Sequence, residues 1–345
     1  MGGSWRRGRT PLIPLHDPHH ALRPTAIALG SFDGLHQGHR RVIAAVTEAQ
    51  AAGGEVLVPT VVSFWPHPRE VLHGEPRLRL DLPEEKLELL EPLGIRQLVL
   101  VPFTRALAAL SPELFVRRVL ADQLQARRIA VGTNFRFGVD RSGDTDALVR
   151  IGASLGIDVR VVPMLWDGAE RVSSSRIRRA LAAGDIGEAE RLLERPYRFH
   201  GRVVSGRGLG RTLGWPTANL EVDGRKFLPL EGVYAALVWW EREDGGDDGR
   251  SEPMAAVMNL GPQPTVDPQA PSAVEVHLLD RRLELAGARL TVQPLRLLRR
   301  QLVFPGLEAL SRQIRQDADQ ARQDCLARLG APLAPPAADL RPPAA

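Results

Sequence analysis

The sequence is poor in several residue types that would each point to a particular class of protein. Of its 345 residues only Cys325 is a cysteine, which excludes an intrachain disulfide and a cysteine-rich zinc site. Lysine occurs only as Lys86 and Lys226, and the arginines form no dense basic run of the kind that binds nucleic acid. No stretch reaches the roughly 18 apolar residues of a membrane span. We therefore expect a cytoplasmic protein, in a reducing compartment, with neither nucleic acid nor membrane among its partners.

The remaining composition is that of an ordinary globular protein. Hydrophobic residues make up 43% and charged residues 25% of the chain, so there is ample material for a core. A chain of 345 residues favours two domains over one. The formal net charge of +4 is a mild excess that suits an anionic small molecule such as a nucleotide. Composition leaves the oligomeric state open, a homo-oligomer included.

Strands and helices alternate through the first half of the chain. Apolar runs typical of buried strands are followed by segments with helical spacing, and Ser111 and Pro112 form a typical helix start. The predicted strands are 25–30, 55–64, 96–103, 126–132 and 158–165. This alternation predicts a doubly wound, mostly parallel sheet, whose ligands bind at the carboxyl ends of the strands.

The pattern changes near Arg195 and Pro196. Just before them, two short helices are predicted with a break at Gly184. After them come five β-type runs with no helix between them, at 197–204, 232–240, 254–260, 273–279 and 289–295. These runs predict a small antiparallel β-barrel or sandwich, closed by a C-terminal helix over 306–330. The expected organisation is a loose N-terminal extension (1–22), an α/β domain (23–194), a β domain (195–330) and a disordered tail (331–345).

The stretch GSFDGLHQGH, residues 30–39, stands where the first strand ends and the first helix begins. Its spacing alone allows a metal site, a nucleophile, a phosphate site or mere packing. The zinc-protease pattern H-E-x-x-H is absent, and no lysine follows a glycine as a phosphate-binding P-loop requires. Backbone N–H groups and the helix dipole converge at a strand-to-helix turn, which favours an anion, with His36 and His39 as further donors. Incidental histidines in a turn remain the alternative.

Together with VSSSRIR, residues 172–178, this stretch resembles the two signature motifs of the nucleotidyltransferase superfamily. Further segments, SFWPHP at 63–68 and VGTNFRFG at 131–138, resemble the N-terminal domain of the bacterial bifunctional riboflavin kinase/FAD synthetase family. The resemblance implies that His36 and His39 hold the ATP triphosphate while Ser174, Ser175 and Arg178 close over it. It also implies nucleotide-binding roles for Gly30, Phe32, Asp33 and Asn134. Trp65 and Thr133 depart from the family pattern, which usually has Asp and often Glu at these positions. For His67, between two prolines, a rigid surface turn is as good an interpretation.

A second informative stretch is VVSGRGLGRTLGWPTANL, residues 203–220. Its glycines and arginine, Gly206, Gly208, Gly210 and Arg211, predict a flexible loop able to wrap an anion, although glycine-rich hairpins are common. Thr217 and Asn219 offer hard oxygen ligands that suit Mg²⁺ carried by a nucleotide. Glu275 shares a strand face with His277 and is a plausible general base, or else an exposed edge-strand carboxylate.

These segments, with GVYAA, AAVMNLGPQPTV and EVHLLD, resemble the riboflavin kinase domain of the same family. The resemblance implies that Thr217 and Asn219 coordinate Mg²⁺ and that Glu275 is the catalytic base. The sequence GPQPT, Val266 and Gln301 depart from the usual pattern. The function implied is two-step FAD synthesis: ATP phosphorylates riboflavin to FMN in the C-terminal domain, and ATP adenylylates FMN to FAD in the N-terminal domain. The alternative is a flavin- or nucleotide-binding protein with only one active domain.

Overall fold

The computed structural model describes residues 13–47, 54–205, 215–240, 251–261, 273–281, 283 and 285–330. The predicted disordered tail and most of the loop between the second and third β-type runs lie outside these residues. The chain divides into two compact units between Arg176 and Ile177. None of the helices in the described part is both long and apolar enough to cross a membrane.

A six-stranded parallel sheet forms the centre of the first unit. Its strands are β1 (Leu15–His16), β2 (Thr25–Leu29), β3 (Val58–Trp65), β4 (Gln97–Pro102), β5 (Ala126–Gly132) and β6 (Asp158–Val162). They lie in the order β1-β4-β3-β2-β5-β6, and every neighbouring pair is parallel. The predicted doubly wound parallel sheet is therefore confirmed, with β2 and its following turn near the middle.

Helices cover both faces of this sheet. Alternate residues of β2 point to opposite sides, and both sets contain apolar residues. Ile27 and Leu29 belong to one core cluster, whereas Ala26 and Ala28 belong to another. The α-helices are α1 (Gln37–Thr47), α2 (Pro68–His73), α3 (Pro83–Leu90), α4 (Arg105–Ala108), α5 (Pro112–Phe115) and α6 (Thr145–Ser154). A π-helical segment, Val116–Gln123, continues α5. The predicted N-cap of α5 is confirmed, since the Ser111 hydroxyl accepts the N–H of Leu114 at 3.2 Å.

The prediction of a loose extension up to residue 22 is wrong for residues 13–22. Leu15 and His16 pair with β4 at the edge of the sheet, and Ile13 is buried in the core beside α1 and α3. A strand of two residues has no periodicity that a sequence pattern could show. The chain therefore adds a sixth strand to the five that were predicted. A short antiparallel pair, β7 (Trp166–Asp167) and β8 (Glu170–Arg171), follows the sheet.

The second unit is a closed barrel of six strands, which settles the choice between barrel and sandwich. The strands are β9 (Phe199–Val204), β10 (Ala218–Glu221), β11 (Gly232–Trp240), β12 (Met254–Gly261), β13 (Ala273–Leu278) and β14 (Arg289–Arg299). Their order is β10-β13-β12-β11-β14-β9, and all neighbours are antiparallel. Only β10 was not predicted, because it has four residues and the first two belong to the PTAN motif.

Within the described residues, three helices accompany the barrel: α7 (Ser174–Ala183), α8 (Ile186–Leu193) and α9 (Leu307–Leu329). The predicted domain boundary is at residues 194 and 195, whereas the contacts group α8 and most of α7 with the barrel. One reason is that the Leu181 carbonyl accepts the N–H of Leu230 at 2.8 Å. Helix α9 buries Ala318, Ala321 and Cys325 against the outer face of the barrel. Burial raises the pKa of the Cys325 thiol to about 11.

Closure of the barrel between β11 and β14 requires a glycine at position 232. A Cβ built on Gly232 would lie 2.6 Å from Leu297 Cδ1 and 2.7 Å from the Arg299 carbonyl oxygen. We expect Gly232→Ala to lower the free energy of unfolding by about 1–3 kcal/mol, because the backbone of β14 cannot yield without loss of pairing. Gly224→Ala is the control, since no atom lies within 4 Å of its Cβ position. Equal denaturation midpoints for the two variants would contradict this expectation.

Candidate active sites

The turn after β2 has a left-handed backbone conformation at two residues that are not glycine. Phe32 and Leu35 have φ values of 45° and 44°, and Gly34 between them has a φ of 93°. Left-handed conformations at residues other than glycine are costly and persist only where the surroundings hold them. Such turns concentrate at functional sites. This turn leads directly into α1, at whose start His36 and His39 lie.

Two other segments hold the turn. The buried Asp33 carboxylate accepts the N–H groups of Leu80 and Asp81 at 2.9 and 3.3 Å, just before α3. The backbone carbonyl of Asp33 accepts the Ser174 hydroxyl at 2.7 Å, and this hydrogen bond joins the two sequence motifs directly. The carboxylate therefore fixes the turn from behind, and Asp33 is not among the residues that line the cavity described below.

A buried lysine lies beneath the same turn. Lys86, which is 7% exposed, donates from Nζ to the Ser31 carbonyl at 3.0 Å, and the Ser63 hydroxyl donates to that oxygen at 3.4 Å. Burial lowers the pKa of the Lys86 ammonium, while the nearby carboxylates of Asp33 and Asp81 oppose this change. Sequence reasoning missed Lys86, because a single lysine in an amphipathic helix pattern carries no signal of burial.

The two histidines of the motif stack on each other. The ring centroids of His36 and His39 are 3.6 Å apart and their planes differ by 19°. The backbone N–H of His39 points at His36 Nδ1 at 3.4 Å, which leaves the proton of a neutral His36 on Nε2. A Cβ at Gly38 would lie 3.2 Å from the His36 ring, so the glycine leaves room for that ring against the first turn of α1.

Both imidazoles are neutral at pH 7. Burial, and next the positive charge of Arg171, lower the pKa of His36 to about 4. Burial also lowers the pKa of His39 well below its usual value, with His36 and Lys86 adding to the effect. Neutral imidazoles can stack without repulsion and still donate one N–H each. They can therefore contact phosphate oxygens without bringing charge of their own.

The depressed pKa of His36 makes stability depend on pH. Between about pH 6.5 and pH 4 the unfolded chain binds a proton at this residue and the folded chain does not, so stability is lost as the pH falls through this window. We expect the wild type to lose about 1–3 kcal/mol more unfolding free energy between pH 7.5 and pH 4.5 than His36→Asn. Urea titrations at both pH values measure the difference. Equal losses in the two proteins would show that folding does not lower the pKa of His36.

A cavity of about 500 Å³ opens over these histidines. The predicted residues that line it come from three segments of the first unit: Gly30, Phe32, His36, His39, Asn134, Ser174 and Ser175. The residues 30–39 and 174–175, which are far apart in sequence, thus meet in one place. Arg178 does not line the cavity; its guanidinium lies over the Phe227 ring, 5.8 Å from the centroid.

Five arginines that sequence reasoning missed also line the cavity: Arg69, Arg77, Arg136, Arg141 and Arg171. Arg141 follows Asp140 in a second left-handed turn, with φ values of 58° and 51°. Five guanidinium groups around neutral imidazoles suit a ligand with several negative charges. They come from separate parts of the chain, so the sequence shows no local run of basic residues that would predict them.

His67 also lines this cavity. Its Nδ1 accepts the Arg69 N–H at 3.1 Å and the Glu70 carboxylate accepts the His67 N–H at 2.9 Å, so it forms the N-cap of α2. Burial, and next the charges of Arg79 and Arg77, lower its pKa to about 4. His67 thus lies in a turn between two prolines, as the sequence suggests, and also forms part of the cavity wall.

In the barrel, the predicted base and one predicted oxygen ligand lie side by side. Asn219 on β10 and Asn259 on β12 are both in register with Glu275 on β13, the strand between them. Directly paired residues share a face and are close enough to interact. The alternating burial of β13 confirms that Glu275 and His277 share this face. Asn259, which the sequence did not single out, accepts the Gln301 amide at 2.8 Å.

Thr217 lies one residue before β10. Gly206, Gly208, Gly210 and Arg211 lie outside the described residues. Among the residues that the structure describes, no group of three or more His, Cys, Asp or Glu side chains could hold a metal ion. The donors predicted for Mg²⁺ are the Thr217 hydroxyl and the Asn219 amide oxygen. Such hard oxygen donors fit Mg²⁺ that arrives bound to nucleotide phosphates and keeps several of its other ligands.

Two family models match the chain in the order of these units. The model described as FAD synthetase matches residues 19–176, and the model described as riboflavin kinase matches residues 193–325. The two units therefore define a two-domain enzyme, a nucleotidyltransferase followed by a kinase.

The similar proteins are named for both activities. The chain is 39% identical over 309 residues to the bifunctional riboflavin kinase/FMN adenylyltransferase of Pseudomonas fluorescens, covering 88% of this chain and 95% of that protein. It is 36% identical over 299 residues to the enzyme of the same name from Escherichia coli K12, covering 86% and 91%. The chain belongs to the bifunctional riboflavin kinase/FMN adenylyltransferase family.

The fold of both units is also found in a solved structure. A crystal structure from Streptococcus pneumoniae, titled as a macrolide-efflux protein, matches with a TM-score of 0.75 and 27% identity. The match covers 90% of this chain and 99% of that one, so the combination of the sheet and the barrel in one chain is shared.

Proposed function

We propose that this chain makes FAD in two steps, with each unit carrying one reaction. The barrel transfers the γ-phosphoryl group of ATP to the 5′-hydroxyl of riboflavin and releases FMN and ADP. The α/β unit then joins FMN to the AMP part of a second ATP and releases pyrophosphate. The observation that carries the proposal is the convergence of His36, His39, Ser174 and Ser175 on one arginine-lined cavity. We place both reactions in the cytoplasm, where a free cysteine stays reduced.

Adenylyl transfer needs positioning and charge stabilisation more than proton chemistry. A phosphate oxygen of FMN attacks the α-phosphorus of ATP as the bond to the bridging oxygen of pyrophosphate breaks, and no proton has to be removed because that phosphate is already ionised. His36 and His39 donate N–H groups to the triphosphate, and Ser174 and Ser175 add hydroxyl donors. Arginines around the cavity offset the negative charge of two anionic substrates.

The kinase step needs a base, because a hydroxyl group attacks. Glu275 accepts the proton of the riboflavin 5′-hydroxyl while that oxygen bonds to the γ-phosphorus and ADP leaves. Thr217 and Asn219 would hold Mg²⁺, which when bound neutralises part of the charge on the ATP phosphates. The register of Asn219 with Glu275 supports this assignment, since the proposed oxygen ligand and the proposed base are direct cross-strand neighbours.

The alternative is a binding protein with only one active domain. Incubating the purified chain with riboflavin, ATP and Mg²⁺, followed by chromatographic separation of the flavins, distinguishes the two. Successive appearance of FMN and FAD supports the proposal. FMN without FAD would refute the adenylyltransferase assignment, and bound flavin without any product would favour the binding protein.

A further inference from the structure

His277 lies on strand β13, two residues after Glu275, and none of the roles above applies to it. His277 is partly buried and shares the face of Glu275. Its Nδ1 donates to the Pro216 carbonyl at 2.7 Å. Its ring meets the Trp215 ring edge to face, with centroids 5.1 Å apart and planes at 75°. One side chain therefore makes two specific contacts with the two residues that precede Thr217.

This contact joins parts of the chain that are 61 residues apart. The pairing of β10 with its neighbours begins only at Ala218, so Thr217 lies just outside the hydrogen-bonded ladder. A restraint on Pro216 therefore acts on a residue whose backbone the sheet does not fix. Because the restraining side chain stands on the same strand as Glu275, the position of Thr217 becomes tied to that of the carboxylate.

We propose that His277 is a positioning residue for the kinase step, and that its hydrogen bond to Pro216 holds Thr217 at the right distance from Glu275. This inference rests on the proposed roles of Thr217 and Glu275. A carbonyl oxygen only accepts, so a neutral His277 carries its proton on Nδ1. Burial lowers the pKa of His277, so the ring is neutral near pH 7 and adds no charge beside the nucleotide.

Two variants separate the hydrogen bond from the ring contact. His277→Asn keeps an N–H donor near the position of Nδ1 but loses the ring. His277→Phe keeps an aromatic edge toward Trp215 but loses the donor. We expect His277→Phe to raise the KM for ATP in FMN formation about tenfold, the size of effect that one lost hydrogen bond produces. The KM of His277→Asn should stay within about threefold of that of the wild type.

A measurement on the protein without nucleotide complements the kinetics. Amide hydrogen exchange of a peptide covering 215–221 should be faster in His277→Phe than in the wild type, and close to the wild type in His277→Asn. FAD formation from supplied FMN, carried by the other unit, should be unchanged in both. If thermal unfolding shows that His277→Phe is misfolded, His277→Gln takes its place, because its longer side chain moves the donor away from Pro216.

The outcomes differ clearly. An unchanged KM and unchanged exchange in the donor-free variant would overturn the positioning role. Equal impairment of the Asn and Phe variants would overturn it too, since the donated hydrogen bond would then not be what matters. If the wild type makes no FMN at all, the proposed kinase function falls and the positioning role with it. FMN formation by wild type and His277→Phe alike overturns the positioning role alone.

Discussion

Glu275→Gln is expected to lower FMN formation from riboflavin by about 100- to 10,000-fold, the range in which general bases contribute to catalysis. The glutamine side chain has nearly the shape of glutamate but cannot take a proton from the attacking hydroxyl. Glu275 pairs with Asn219 and Asn259 through the backbone, which the substitution does not change, so the pairing of the three strands should stay intact. The expected loss is therefore in kcat, with a smaller change in KM.

The measurement uses both activities of one chain. Flavins are separated after incubation with riboflavin and ATP, and in a parallel reaction after incubation with FMN and ATP. The variant should still make FAD from FMN, which shows that the chain is folded. Glu221→Gln, a change of the same type at an exposed position on β10, is the control and should keep both activities. If Glu275→Gln keeps FMN formation, another group must be the base.

The double substitution His36→Ala with His39→Ala is expected to produce the opposite pattern. FAD formation should fall by at least about 100- to 1,000-fold, the effect of removing a preorganised donor at a reacting phosphate. FMN formation should persist, because the barrel contains neither residue. FAD formation should fall because the two stacked, uncharged rings line the cavity and can each donate an N–H group to the triphosphate.

The single variants refine this result. His36 supports the stack and accepts the His39 N–H, so loss of either ring should disturb the other, and the two effects should not add. His73→Ala, at the exposed end of α2, removes a histidine outside the cavity wall and is the control. Additive effects of the two substitutions would indicate that the histidines act independently. A parallel loss of FMN formation would count against two separate sites.

Much of the fold followed from local pattern. Alternating apolar runs and helical spacing predict the parallel sheet of the first unit, because each period is set by a few neighbouring residues. The weak points were the shortest elements. β1 has two residues and β10 has four, and neither length is enough for a period to appear.

The site shows the same division. The motif residues 30–39 predict a phosphate-binding turn because glycine, strand end and helix start are visible in the sequence. The structure adds Lys86 beneath that turn and Arg141 at the cavity wall, each from a different segment. It also turns the Asp33 carboxylate toward the backbone before α3 and places the Arg178 guanidinium over Phe227. Spacing within a motif says nothing about which partner a side chain meets, so these directions were not predictable.

The sequence by itself determined the class of each unit and the chemistry of its signature residues, since both depend on short-range order along the chain. The tertiary structure alone decided that Ser174 bonds to Asp33, that five arginines surround one cavity, and that His277 bonds to Pro216. These contacts join residues far apart in the chain. Each of them lies within one unit and forms only when that unit folds, so no local periodicity encodes it.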